Sequence, residues 1–220
     1  MNRTQHAMKH TQPGRRLLPA VLLLLLVALL TGCTGTTSAG TDAAATGSPA
    51  EGTPIEPPRE LTDFTMTSAA GTPLSLSDLQ GRPVLLYFGY TFCPDVCPTT
   101  LADFVRVKRD LGEDADKVAF VFISVDPERD TPEKIANYMR AFDTDFIGLQ
   151  GDEKTLRRIQ FDYGLFYQKS RVQGTSADYL VDHSAAAYLI DQEGRLAVIY
   201  AFGTPPEVMS ADVRALLQRQ

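Results

Sequence analysis

The chain has 220 residues, with 21 Lys and Arg against 27 Asp and Glu, and a formal net charge of −6. The first 32 residues hold four of the basic residues and none of the acidic ones, which leaves 17 basic against 27 acidic residues and a net charge of −10 for the remainder. This acidity argues against nucleic acid as a partner, because phosphates need a basic surface. It is compatible with a cationic metal or with a basic docking patch on a partner protein.

Residues 1–32 have the pattern of a bacterial lipoprotein signal peptide. Basic residues precede an apolar run from Leu17 to Leu30, which is too short to predict a membrane-spanning helix. The run ends in Leu30-Thr31-Gly32-Cys33, and small residues before a cysteine resemble a lipobox, where cleavage leaves Cys33 as a lipid-modified N-terminus. An uncleaved anchor is the alternative. Either way, we expect an extracytoplasmic domain held at the bacterial cell membrane.

Residues 33–58 are rich in Thr, Ala, Gly, Ser and Pro and contain almost no large apolar side chain. Such a segment cannot bury enough apolar surface to offset the entropy that it would lose on ordering. We therefore predict a flexible, lipid-anchored linker over residues 33–58 and a folded domain over residues 59–220.

The folded part alternates predicted strands and helices. A β-hairpin at 64–76 leads to a buried strand at 83–88, and helices at about 98–111, 132–142 and 153–161 then alternate with strands at 118–125 and 146–149. An inserted loop at 168–182 precedes a second hairpin, with strands at 185–190 and 196–202, and a closing helix. This order predicts an α/β protein with a thioredoxin-like fold, in which helices flank a mixed central sheet.

The segment from Phe92 to Pro98 reads Phe-Cys-Pro-Asp-Val-Cys-Pro and joins the buried strand to the first long helix, a junction where α/β proteins commonly place their chemistry. Cys93 and Cys97 are one residue further apart than in the Cys-x-x-Cys redox spacing. Their spacing suits two sulfurs that converge on one ion, or that close a short disulfide when oxidised. With Pro98 at the first helical position, Cys97 would lie near the N-cap, where the helix dipole lowers the pKa of a thiol. A purely structural disulfide or two buried thiols are the alternatives.

His183 is the only histidine beyond the first 32 residues. A lone histidine is weak evidence for a ligand, since most such residues are exposed or satisfied within the core. In a thioredoxin-like sheet, however, the loop before the late hairpin packs beside the cysteine segment. Thioredoxins place a cis-proline in that loop, whereas this chain has no proline between Pro132 and Pro205. A histidine in this position therefore favours a metal site.

Two thiolates and one imidazole favour copper as the metal, because soft thiolates select Cu(I) and imidazole also suits copper. Structural zinc would need a fourth protein ligand. Asp95 or Asp182 could supply an oxygen, so the residues alone leave zinc open. Asp182 is equally well explained as an acceptor that orients the histidine or as a loop cap.

Three segments resemble the signature segments of the Sco/SenC family of copper proteins: Phe-Cys-Pro-Asp-Val-Cys-Pro at 92–98, Ser-Val-Asp-Pro-Glu-Arg-Asp-Thr-Pro-Glu at 124–133 and Asp-Tyr-Leu-Val-Asp-His-Ser at 178–184. The similarity runs from about residue 60 to the C-terminus. It implies a thioredoxin fold that binds one copper ion through Cys93, Cys97 and His183. It also implies a role in assembling the CuA site of cytochrome c oxidase subunit II. For the segment from Asp126 to Asp130 the residues themselves predict only a loop end and a helix cap.

We therefore predict a membrane-tethered copper chaperone that serves cytochrome c oxidase subunit II or a similar acceptor, and that binds no nucleic acid. The alternative is a thiol–disulfide oxidoreductase that keeps the cysteines of a copper site reduced; it would use Cys93 and Cys97 but would not need His183. A peroxidase and a redox or copper sensor are further alternatives.

Overall fold

The computed structural model describes residues 51–171 and 178–219. These residues belong to one compact unit with its own hydrophobic core. The predicted signal peptide, Cys33, residues 34–50 of the predicted linker and residues 172–177 lie outside the described residues. Within the described ranges, no helix is both long and apolar enough to cross a membrane.

The described residues form ten strands and four α-helices. The strands are β1 (Thr53–Arg59), β2 (Thr65–Ser68), β3 (Pro73–Ser75), β4 (Val84–Gly89), β5 (Ala119–Ser124), β6 (Ile147–Gln150), β7 (Tyr167–Ser170), β8 (Leu180–His183), β9 (Ala187–Ile190) and β10 (Leu196–Tyr200). The helices are α1 (Val96–Leu111), α2 (Pro132–Arg140), α3 (Glu153–Tyr163) and α4 (Pro206–Leu217). Helices α2 and α3 begin at the predicted N-caps, where Thr131 and Asp152 each accept a backbone N–H of the first turn.

Eight strands form one sheet in the order β1-β10-β9-β4-β5-β6-β2-β3. Strands β4, β5 and β6 are parallel, and the other neighbours are antiparallel. Every residue of β4 and β5 is buried, which explains why these central strands are continuous apolar runs rather than alternating ones. The mixed sheet and the hairpins β2–β3 and β9–β10 confirm the prediction.

Successive side chains of β4 point to opposite faces of the sheet. Tyr87 points towards α1, where its hydroxyl lies 3.6 Å from the Sγ of Cys97. The next side chain, Phe88, packs edge-on against Tyr163 of α3. Helices therefore cover both faces, and α4 contacts α1 on the face that carries the cysteines.

Strand β1 begins inside the segment for which we predicted a flexible linker. It pairs with β10 at one edge of the sheet, and the register slips between Pro54 and Arg59. An edge strand tolerates proline, because its unpaired side needs no N–H donors. The linker prediction was therefore wrong for residues 53–58, which belong to a strand of the folded domain.

The segment 168–182 was predicted to be an inserted loop, but its two ends are strands. Strands β7 and β8 pair with each other as a separate antiparallel sheet, in which Tyr167 lies opposite His183. Residues 172–177, the middle of this predicted loop, lie outside the described residues. This pairing places His183 at the end of a strand, next to the cysteine segment.

Candidate metal centre

The cysteine segment connects the end of β4 to α1. The helix begins at Val96, earlier than predicted, so Cys97 is its second residue and Pro98 its third. Proline is tolerated there because the N–H groups of the first helical turn have no partner within the helix. The N-cap is Asp95, so the prediction that Pro98 is the first helical residue was wrong, whereas Cys97 does lie near the N-cap, two residues after it.

The structure brings together the three side chains predicted as metal ligands. Cys97 Sγ lies 3.4 Å from His183 Nε2, and the sulfurs of Cys93 and Cys97 and an imidazole nitrogen all lie within 4.8 Å of one another. Both cysteines are free thiols. Cys97 is fully buried, whereas Cys93 and His183 are half-buried beside a surface groove. One ion could therefore contact all three ligands and still be reached from solvent.

The pairing of β8 with β7 positions His183, and a local hydrogen bond orients its ring. The Nδ1 atom lies 3.0 Å from the carbonyl oxygen of Ser184. An N–H at Nδ1 that donates to this carbonyl leaves the lone pair of Nε2 facing the sulfurs. The rings of Tyr87 and Tyr90 pack edge-on against the imidazole, with centroids 6.0 and 5.8 Å away. The ring is thus held in a ligand-like orientation without help from Asp182.

The two thiols have different acidities. The Cys97 thiol hydrogen-bonds to Cys93, and the Cys97 backbone N–H donates to the same sulfur at 3.4 Å; these bonds lower the pKa of Cys93 well below that of an ordinary thiol. The same pairing, together with burial, raises the pKa of Cys97. The first turn of the helix therefore stabilises the thiolate of Cys93, and not that of Cys97 as predicted.

Neither aspartate considered as a fourth ligand joins the cluster. Within the described residues, the only group of metal-binding side chains that converge consists of Cys93, Cys97 and His183. Asp182 is an exposed residue of β8, and Ser184 is the neighbour that orients the imidazole. A three-ligand set of two sulfurs and one nitrogen suits Cu(I) better than structural zinc, which is almost always four-coordinate.

Two residues that support the site were missed in the sequence. Burial raises the pKa of Tyr87, which keeps its hydroxyl protonated, and this hydroxyl donates towards Cys97 Sγ. Gly89 has no side chain where a Cβ atom would lie 2.9 Å from Cys97 Sγ and from the ring of Tyr87. Both residues lie near the C-terminal end of β4. A hydroxyl and a glycine within an otherwise apolar strand were the features of the sequence that could have revealed their role.

Comparisons with known proteins agree with this geometry. A family model described as SCO1/SenC matches residues 52–218. The SCO2-like protein of Rickettsia felis is 34% identical over 148 residues, which cover 67% of this chain and 72% of that protein.

Two solved structures with copper bound are similar in fold. ScoI of Bradyrhizobium japonicum has a TM-score of 0.65 and 40% identity, with 71% of this chain and 98% of that chain covered. ScoI of Arabidopsis thaliana has a TM-score of 0.67 and 30% identity, with 73% and 99% covered. These structures confirm the thioredoxin-like fold. Since the family model spans most of the chain and a relative is 34% identical over 67% of the chain, this protein belongs to the SCO1/SenC family.

Proposed function

We propose that this protein is a copper carrier that delivers one copper ion per chain to the CuA site of cytochrome c oxidase subunit II, or to a similar acceptor. The observation that carries the proposal is the convergence of Cys93, Cys97 and His183 on one point. Sco family proteins take part in cytochrome c oxidase assembly, and two solved relatives contain copper.

The unequal burial of the three ligands suggests an order of transfer. The acceptor's thiolates can approach from the groove beside Cys93 and His183, because Cys97 is enclosed. Ligands are then exchanged one at a time, and Cys97 is the last to release the ion. Copper passes between proteins without entering solution.

We propose that the carrier stays at the membrane through a lipid on Cys33. With β1 included in the domain, the linker shortens to residues 33–52, roughly 20 residues that reach at most about 70 Å when extended. This length lets the domain meet an acceptor in the same membrane. Replacing Cys33 with Ser in the full-length chain should move the protein from the membrane fraction to the soluble fraction.

Copper content tests the site directly. The chain from Ala45 to Gln220, purified with reducing agent and Cu(I), should hold one copper per chain. This chain begins before Thr53 so that it includes β1, which stabilises the domain. Copper should be lost or weakened in each of Cys93→Ser, Cys97→Ser and His183→Ala. A stoichiometry that is unchanged in all three variants, even at limiting copper, would contradict the proposal.

A thiol–disulfide reductase is the second candidate, and the contrast between the two thiols favours it. Cys93 is accessible and its pKa is lowered, as in an attacking thiol, while Cys97 is buried beside it as a resolving thiol. In that cycle Cys93 and Cys97 become a disulfide as they reduce a substrate disulfide to two thiols, and an external dithiol restores them.

His183 separates the two functions. The copper-carrier hypothesis predicts that His183→Ala impairs copper retention and oxidase assembly but leaves reduction of a model disulfide intact. If oxidase assembly proceeds normally in cells whose His183→Ala protein has impaired copper retention, the reductase hypothesis is correct.

A further inference from the structure

The segment from Asp126 to Asp130, whose sequence predicted only a loop end and a helix cap, forms a buried network beside the metal centre. Both Asp126 and Asp130 are fully buried. The carboxylate of Asp130 accepts from Thr91 N at 2.8 Å, from Thr91 Oγ1 at 2.6 Å and from Ser124 Oγ at 2.6 Å. Asp130 thus ties the cysteine segment to the end of β5.

Asp126 is directed towards the strand that carries the histidine. Its carboxylate accepts from the Tyr179 hydroxyl at 2.7 Å and from Nε of Arg129. Tyr179 is the residue immediately before β8, whose last residue is His183. The buried carboxylate therefore fixes the start of this strand.

Arg129 contacts both segments that carry the predicted metal ligands. Its Nη1 donates to the Tyr179 carbonyl oxygen at 2.8 Å, and its guanidinium lies 3.7 Å from the centroid of the Tyr179 ring. The guanidinium also lies 5.2 Å from the centroid of the ring of Phe92, the residue before Cys93. One planar cation thereby bridges the cysteine segment and the histidine strand, a geometry that a lysine ammonium cannot reproduce.

We propose that Arg129 is a positioning residue for copper: by clamping Tyr179 onto Asp126 it sets the distance between His183 and the two sulfurs. The inference rests on the proposed copper site and deepens it. The clamp touches neither the sulfurs nor the imidazole, so we assign its effect on copper affinity to the distance that it sets between His183 and the two sulfurs. A merely structural role would instead weaken copper binding regardless of whether the histidine is present.

A double-mutant cycle distinguishes these roles. Cu(I) affinity is measured by anaerobic competition with a chromophoric chelator for the chain from Ala45, as wild type, Arg129→Lys, His183→Ala and the double variant. Arg129→Lys keeps the positive charge beside Asp126, which avoids an unpaired buried carboxylate.

We expect Arg129→Lys to lower Cu(I) affinity about tenfold, the scale found when groups that orient a ligand are removed. In the His183→Ala background, where the two thiolates still bind Cu(I), it should cause no further loss. An equal loss in both backgrounds, or none in either, would overturn the proposal.

A matched control and a second variant guard against general destabilisation. Arg195 also pairs with a buried aspartate, Asp191, at 2.8 Å. That pair lies in the β9–β10 turn, next to the start of β4 and so at the opposite end of the sheet from the cysteines. Arg195→Lys should leave Cu(I) affinity unchanged. Tyr179→Phe, which removes only the hydroxyl bond to Asp126, should lower the affinity less than Arg129→Lys does.

A measurement without copper keeps this inference separate from the proposed function. In the reduced, metal-free chain, amide hydrogen exchange over Leu180–His183 should be faster in Arg129→Lys than in wild type, and unchanged in Arg195→Lys. Unaltered exchange in Arg129→Lys would show that the clamp does not hold β8. A wild-type chain that binds no copper would overturn the proposed function, while the exchange experiment would still decide what Arg129 holds.

Discussion

Two sulfurs in one metal centre differ in what each can do. Cys93 is accessible and receives hydrogen bonds that stabilise its thiolate, whereas Cys97 is enclosed and acts as the donor of the pair. The thiolate is the form that both attacks electrophiles and binds soft metals. Chemistry at this site, whether ligand exchange or disulfide attack, therefore starts at Cys93.

Alkylation should report this asymmetry. In the reduced, metal-free chain, iodoacetamide should modify Cys93 at least about tenfold faster than Cys97, and below pH 7 as well, because the lowered pKa keeps Cys93 ionised there. Cys97→Ala removes the donor thiol and should shift the pH profile of Cys93 alkylation to higher pH. Mass spectrometry of the peptides measures both rates. Equal rates, or faster reaction at Cys97, would contradict the assignment.

Gly89 keeps space for the buried sulfur. A Cβ at this position would lie 2.9 Å from Cys97 Sγ, closer than packed atoms tolerate. Gly89→Ala should therefore displace Cys97, cost about 1–3 kcal/mol of stability through overpacking and lower Cu(I) affinity about tenfold.

Gly148→Ala provides the matched control, since its Cβ would meet Ile135 at 2.3 Å on β6, two strands from β4, and would meet neither cysteine. It should lower the melting temperature without changing the Cu(I) affinity of the folded protein. If both variants bind copper as wild type does, the space beside Gly89 has no role in the site.

At the scale of elements, the central part of the fold could be predicted because local signals agree with the tertiary structure there. Strands β4 and β5 are continuous apolar runs buried on both faces, and Thr131 and Asp152 are caps whose side chains bond the first turn. The cysteine pair stood out for the same reason, because it follows one of these continuous apolar strands, β4.

Elements whose structure depends on partners distant in sequence could not be predicted. Strand β8 is polar in part and forms only by pairing with β7, so His183 was assigned to a loop. The three prolines of β1 argue against a strand, unless one knows that it lies at a sheet edge. Likewise, nothing in the sequence shows that Arg129 and Tyr179, far apart in the chain, stack on each other.

Strand β1 should contribute measurably to stability. A chain that begins at Glu60 leaves one edge of β10 unpaired and lacks the half-buried Ile55 that packs against the core, whereas one that begins at Ala45 retains β1 and Ile55. We expect the shorter chain to melt at least about 5 °C lower and still to bind one copper. A chain that begins at Glu51 keeps β1 and is the control; it should have the same melting temperature as the chain that begins at Ala45. Identical melting of all three would mean that β1 adds nothing to the domain.

At the scale of the whole molecule, copper binding should stabilise the fold, and His183 should determine by how much. A ligand that binds only the folded state at 1,000 times its dissociation constant adds about 4 kcal/mol, and each kcal/mol raises the melting temperature of a domain of this size by about 2–4 °C. The unfolded chain, however, keeps Cys93 and Cys97 only four positions apart and can also bind Cu(I), while His183 lies 86 positions beyond Cys97.

The thiolates alone therefore favour the folded state little, and the imidazole supplies most of the difference. Scanning calorimetry with Cu(I) should show a clear rise in melting temperature for the wild type and for the Arg195→Lys control. In His183→Ala most of that rise should vanish, even though this variant still holds copper through its two sulfurs. An equal rise in His183→Ala would mean that folding does not bring the histidine to the ion, because only a ligand contributed by the folded state can make copper prefer that state.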